Sequence, residues 1–180
     1  MNILSWGRRT GKTTFCINRF LQLENPVYIV PQNSMGHLVR MRLKELYGLT
    51  TQNVFSAAGN KWWKHATKNN GSPAVIDEAQ YIDDTILEDI VNTLQVDTLT
   101  FTKTYTKQEA QTATIPRLIK KHGFYHKTIY DTTHIPQSDI DHLENITPPN
   151  IFKQEYLAHT IQDPYTWKRF KTLYCKGTTP

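Results

Sequence analysis

The stretch Ile3-Leu4-Ser5-Trp6-Gly7-Arg8-Arg9-Thr10-Gly11-Lys12-Thr13-Thr14 stands near the start of the 180-residue chain, and the fold turns on how it is read. A short, mostly apolar run leads into a loop that ends in Gly-Lys-Thr-Thr, where a helix is expected to begin. Such a loop suits a triphosphate. Glycine lets the main chain approach the phosphates, and successive N–H groups at the helix start point at the anion. Lys12 is expected to reach the β- and γ-phosphates and the Thr13 hydroxyl to bind Mg²⁺, with Gly7, Arg9, Thr10, Gly11 and Thr14 completing the cradle. The spacing departs from G-x-x-x-x-G-K-[ST], because Trp6 stands where the first glycine belongs and Gly7 comes one position late. Taken alone, the stretch also fits an ordinary strand-turn-helix with a capping threonine.

A second stretch decides between these readings. Pro73-Ala74-Val75-Ile76-Asp77-Glu78-Ala79-Gln80 is a buried-strand pattern ending in two acids. Asp77 is placed to hold Mg²⁺ and Glu78 to polarise the attacking water. Two acids after an apolar run can mark a helix start. Following the Gly-Lys-Thr-Thr loop, in this order, they predict a nucleoside-triphosphatase site.

The basic residues cluster, and the net charge is +5. Arg40, Arg42 and Lys44 form one group, Lys61, Lys64 and Lys68 another, and Arg117, Lys120, Lys121 and Lys127 a third, whereas every charge from Asp77 to Asp97 is acidic. Such clusters fit a polyanionic partner and equally fit solvated helix faces. No apolar run approaches membrane-spanning length. The phosphate loop lies too close to Met1 for a signal peptide, and Cys16 and Cys175 form no C-x-x-C pair, so a reducing cytoplasm is expected.

Apolar periodicity predicts alternating strands and helices. Strands are expected at residues 2–6, 27–30, 51–55, 73–78, 98–106 and 126–131. Helices are expected after the phosphate loop, over 34–47, after Asp77-Glu78, over 115–124, between Pro136 and Pro148, and from Phe152. Adjacent Trp62 and Trp63, flanked by lysines, are read either as a base-stacking platform or as one core and one half-exposed ring. His122 and His126 are read as surface residues. The alternation predicts an α/β fold with a mostly parallel sheet flanked by helices, in one domain with a core to about residue 134 and a helical segment from about 135 to 180.

Four stretches together resemble the ATPase domain of viral large terminase subunits, the motors that drive double-stranded DNA into capsids. Residues 5–13 are similar to that family's deviant phosphate loop, with Arg8 in the spacing Arg-x-x-Gly-Lys. Tyr28-Ile29-Val30-Pro31-Gln32-Asn33 resembles a strand and turn shared with helicases, and Val75-Ile76-Asp77-Glu78-Ala79 resembles the metal and catalytic-glutamate strand. Phe152-Lys153-Gln154-Glu155-Tyr156-Leu157-Ala158 looks like the Phe-x-Gln-Glu-Tyr-Leu segment near the end of terminase ATPase domains, the most discriminating of the four.

The resemblance implies a P-loop NTPase fold of the terminase-like, additional-strand class. It implies ATP and Mg²⁺ as cofactors, with Lys12 and Thr13 on phosphate and metal, Asp77 on the metal, Glu78 activating water and Arg8 as a γ-phosphate finger in cis. Thr104-Tyr105-Thr106 is expected to couple phosphate release to movement, and Arg117 to act in trans within a homo-oligomeric ring. Double-stranded DNA, bound through its phosphates, is the implied partner, with a capsid portal and a separate nuclease or small terminase subunit beside it and no membrane. The setting is the host cytoplasm, transiently at the capsid. Two departures from the family are expected: no adenine-recognition segment before the loop and no nuclease domain after it. A helicase-like ATPase is one alternative. A thymidine-kinase-like enzyme is another, since Asp77-Glu78-Ala79-Gln80 matches that family's tetrad without its zinc cysteines or lasso.

Overall fold

The computed structural model describes residues 1–58 and 71–180. Trp62, Trp63 and the lysines at 61, 64 and 68 lie outside the described residues, so neither reading of that stretch is addressed. The chain is α/β. The strands are β1 (Asn2–Trp6), β2 (Val27–Val30), β3 (Val54–Ser56), β4 (Pro73–Ile76), β5 (Gln95–Phe101), β6 (Phe124–Lys127) and β7 (Cys175–Gly177). Among the described residues the helices are α1 (Lys12–Gln22), α2 (Asn33–Tyr47), α3 (Asp84–Thr93), α4 (Glu109–Thr112), α5 (Thr114–His122), α6 (Gln137–Ile146), α7 (Pro149–Glu155) and α8 (Pro164–Tyr174).

Contacts divide the chain into two compact units, the first holding residues 13–99 and the second residues 2–12 and 100–180. In the first unit the strand order is β3-β2-β4-β5, with parallel pairing throughout. All four residues of β2 are buried, the pattern of a parallel strand covered on both faces. Its core joins Cys16, Ile17 and Phe20 of α1 to Tyr28 and Val30 of β2, Val39 and Leu43 of α2, Val54 and Val75. The apolar residues of α1 meet this core because they recur at positions one helical turn apart. Helix α2 stops at Gly48, whose φ of 64° permits its N–H to reach the Lys44 carbonyl at 3.0 Å. Asp83 starts α3 by accepting from the N–H groups of Thr85 and Ile86, a cap worth about 1 kcal/mol.

The second unit holds β1, β6 and β7, with β1 parallel to β6 and β6 parallel to β7, and the last two residues of β5. Trp167 and Phe170 of α8 pack on Phe124 of β6 at ring distances of 6.0 and 5.9 Å. A smaller cluster of Ile129, Ile140 and Phe152 anchors α6 and α7. The returning residues 158–162 are stitched in by polar bonds. The Ser5 hydroxyl lies 3.0 Å from that of Thr160, the Tyr105 N–H donates to Thr160 and the Gln162 N–H donates to Tyr105.

Three expectations are corrected. The strand placed at 98–106 runs from Gln95 to Phe101 and stops there, because the Thr104 hydroxyl donates to the His159 carbonyl and Tyr105 bridges to Ile161 instead. The strand placed at 126–131 is Phe124–Lys127, followed by a 3-10 turn at Ile129–Asp131. That shift brings His126 onto the same face as Phe124, so it is buried at 4% exposure rather than on the surface. Helix α8 falls within the helical segment expected over about 135–180, and strand β7 carries no expectation from the sequence. No helix among the described residues is long and apolar enough to cross a membrane.

Candidate functional site

Residues 7–12 of the loop expected to take phosphate belong to the second unit and follow β1. Arg9 at φ 61° and Gly11 at φ 89° flank Thr10, whose hydroxyl donates to the Gly7 carbonyl at 2.6 Å. Left-handed residues placed this way turn consecutive N–H groups toward one side, making an anion-binding concavity. Lys12 is the first residue of α1 and only 6% exposed. A buried ammonium must be compensated. Its Nζ donates to the carbonyls of Trp6 at 3.0 Å and Gly7 at 3.3 Å, and to the Thr102 hydroxyl at 3.0 Å. A phosphate oxygen arriving at this ammonium would substitute for one of those acceptors.

Thr102 was not among the expected site residues. It is the first residue past the carboxyl end of β5 and is 4% exposed. The sequence signal was the run of threonines at 98, 100, 102 and 104, but reading the strand as continuing to 106 moved the strand-end hydroxyl two residues too far.

The segment 152–158 grips the loop from the far end of the chain. The Arg8 N–H donates to the Glu155 carbonyl, and the Arg8 guanidinium pairs with the Glu155 carboxylate at 2.7 Å. The Gly7 N–H donates to Lys127 at 2.8 Å. A side-chain carbon added to Gly7 would run into the main-chain carbonyl of Tyr156. Gly7 is therefore required by the strap that lies on it. Arg8, expected as a phosphate finger, is engaged by Glu155 in this structure. Arg9, Gly11 and Thr14 are exposed.

Thr13 and Asp77, the residues expected to hold Mg²⁺, belong to the first unit. Thr13 and Asp77 line one cavity of about 140 Å³ with Arg42 and an apolar wall that includes Met35, Leu38 and Val39. Arg42, read from the sequence as one of a basic cluster, thus stands beside the predicted metal pair, while Arg40 donates to the Val54 carbonyl and ties α2 to β3. Asp77 is 1% exposed and accepts from the Tyr28 hydroxyl at 3.0 Å. Burial first, then the neighbouring Cys16 and Asp77, pushes the Tyr28 hydroxyl well above its ordinary pKa, so it stays a donor to the carboxylate. Glu78 is half-buried and held at φ 55°, in the left-handed region, where a non-glycine residue costs about 1–2 kcal/mol. Its carboxylate accepts from the Gln80 amide. Strain of this kind clusters at functional turns.

Of the other expected residues, Thr104 and Tyr105 are bound to the 159–162 segment, and Arg117 of α5 donates to the Thr114 hydroxyl at 3.3 Å. Comparison with protein-family models, curated proteins and solved structures finds no match for this chain.

Proposed function

We propose that the chain is a Mg²⁺-dependent ATPase that drives double-stranded DNA into a viral capsid. The observation that carries the nucleotide half is the pairing of Thr13 with Asp77 in one cavity, with Thr13 following directly on the buried Lys12. A threonine hydroxyl and a carboxylate are hard oxygen ligands of the kind Mg²⁺ takes together with nucleotide phosphates. In the reaction, a water oxygen attacks the γ-phosphorus in line, and the bond from that phosphorus to the β,γ-bridging oxygen breaks. ADP leaves, and the water proton passes to the Glu78 carboxylate, which the Gln80 amide orients. Lys12 neutralises charge on the transferring group. Arg8 joins it on release from Glu155.

The packaging half rests on the resemblance of the loop and of residues 152–158 to terminase ATPases. It is supported by the contact between those two stretches, Arg8 with Glu155 and Gly7 under Tyr156. DNA is engaged through phosphates, and a ring of copies places an arginine of one against the nucleotide of the next, with Arg117 as the candidate. A portal and a separate nuclease or small subunit complete the machine.

Phosphate release from ATP, measured with linear duplex DNA over a range of salt, tests this reading. Stimulation that fades as salt rises supports it. Hydrolysis indifferent to duplex DNA, for the isolated chain and for its assembled form alike, contradicts the motor. One observation favours a second reading. The apolar wall beside Thr13 and Asp77 suits an acceptor nucleoside, and transfer of phosphate from ATP to thymidine in the same assay would select a nucleoside kinase.

A further inference from the structure

A larger cavity, of about 550 Å³, lies wholly within the second unit and includes none of the residues assigned above to the phosphate loop or the metal pair. Its size falls in the range of pockets that enclose a small organic ligand, roughly 300–1,000 Å³. Three amides line it, Asn150, Gln154 and Gln162. An amide offers an acceptor oxygen and an NH₂ donor, the combination that reads the edge of a nucleobase, although one N–H of Gln154 already donates to the Glu155 carboxylate at 3.2 Å. Pro149, Ile151 and Ile161 supply apolar surface against which the face of a base can lie. Lys153 contributes the cation, and no acidic side chain is among the described lining residues.

His159 completes the wall. Its ring lies 5.6 Å from that of Trp167, and burial first, then Lys153 and Lys171, holds its pKa below the ordinary value. At neutral pH it therefore offers a hydrogen-bonding nitrogen and no charge. The Thr104 hydroxyl, donating to the His159 carbonyl, fixes that stretch of main chain. Amide edges, an apolar face and a single cation, without a carboxylate to repel phosphate, together match one base with its phosphate.

We propose that this cavity binds a single nucleotide unit, at a site separate from the phosphate loop. The unit can come from a free mononucleotide or from a nucleic-acid strand, and the chemistry of recognition is the same for both. The proposal does not depend on the ATPase reading.

The test uses the full chain carrying Lys12→Ala, which disables the phosphate loop. Fluorescence anisotropy follows a labelled single-stranded oligonucleotide and, in parallel, a labelled mononucleotide. At least one probe is expected to bind the Lys12→Ala chain within about two-fold of wild type. Adding Lys153→Glu is expected to weaken that binding about ten-fold or more, a change of at least about 1.4 kcal/mol. Gln162→Leu, a second and neutral substitution, is expected to weaken it several-fold, with thermal melting of each variant as the check on folding. Displacement of the oligonucleotide by unlabelled mononucleotide assigns the site to free nucleotide, and displacement only by unlabelled strand assigns it to nucleic acid.

The proposal is overturned if Lys12→Ala abolishes binding of both probes, because the cavity then serves at most the nucleotide of the loop. It is equally overturned if neither probe binds wild type, or if folded Lys153→Glu and Gln162→Leu variants bind unchanged. ATP turnover of wild type, recorded separately, shows whether the ATPase reading stands whatever the cavity does.

Discussion

The Asp77-Glu78 turn and the phosphate loop are both held by the neighbouring strand, but the loop is also held by a segment from near the end of the chain. Asp77 is held by near neighbours in its own sheet: the Tyr28 hydroxyl from β2, the Ile29 carbonyl that accepts its N–H, and then Gln80 two residues on, bonding Glu78. The loop is held by residues remote in sequence, with Thr102 on Lys12, Lys127 on Gly7 and the 155–156 main chain on Gly7 and Arg8. The acid turn is built into strands that must form for the first unit to exist. The loop depends on main chain at 127 and 155–156, and perturbations there are expected to change the loop.

The largest break should come from the loop itself. Lys12→Ala removes an ammonium bonded to three oxygens and is expected to weaken ATP binding at least 100-fold, read by titration with a fluorescent nucleotide. A loss of that order is about 3 kcal/mol.

Acid should loosen the strap side next. His126 donates from Nε2 to the Leu157 carbonyl at 2.9 Å, and burial above all lowers its pKa to about 4 from an ordinary 6.5. Between those values the unfolded chain binds the extra proton and the native chain does not. The stability this histidine contributes is therefore full above about pH 6.5 and falls as pH drops toward 4. The loss is about 3 kcal/mol at its limit. Melting curves from pH 7 to 4 check it, and His126→Phe should flatten that slope.

Gly7→Ala should be milder for stability yet local in effect. Its new methyl group meets the Tyr156 carbonyl, and overpacking of this kind costs about 1–3 kcal/mol. Thermal melting reads the loss. The smallest effect belongs to Glu155→Gln. Arg8 is largely exposed in its pair with Glu155, so the change should cost under about 1 kcal/mol of stability. If the Glu155 pair restrains Arg8 from phosphate, the same variant should hydrolyse ATP no slower than wild type.

What the sequence disclosed follows the same division. Val27–Val30, Pro73–Ile76 and the helix after Gly-Lys-Thr-Thr were legible because each carries its own local signature: an uninterrupted apolar run, a helical spacing, a stop at proline. The need for Gly7 was not legible, since it arises from a carbonyl about 150 residues away that no local pattern announces. Thr102 was missed by two positions because alternating threonines look like strand well past the point where a tertiary partner, His159, takes the chain away. His126 was misplaced for a related reason: Gly123, at φ 70°, ends α5 and resets the strand phase, so that Phe124 and His126 both face inward. Arg42 could be assigned to a basic cluster from sequence, but only the packing of α2 brings it beside Thr13 and Asp77.

The most direct measurement is steady-state phosphate release from Mg²⁺-ATP by wild type and by Glu78→Gln, with nucleotide binding measured on the same preparations. Wild type is expected to turn over ATP, and Glu78→Gln to lose about 100-fold or more of that rate with unchanged nucleotide affinity. Turnover by Glu78→Gln at the wild-type rate, or a wild-type chain that binds no ATP, would contradict that expectation.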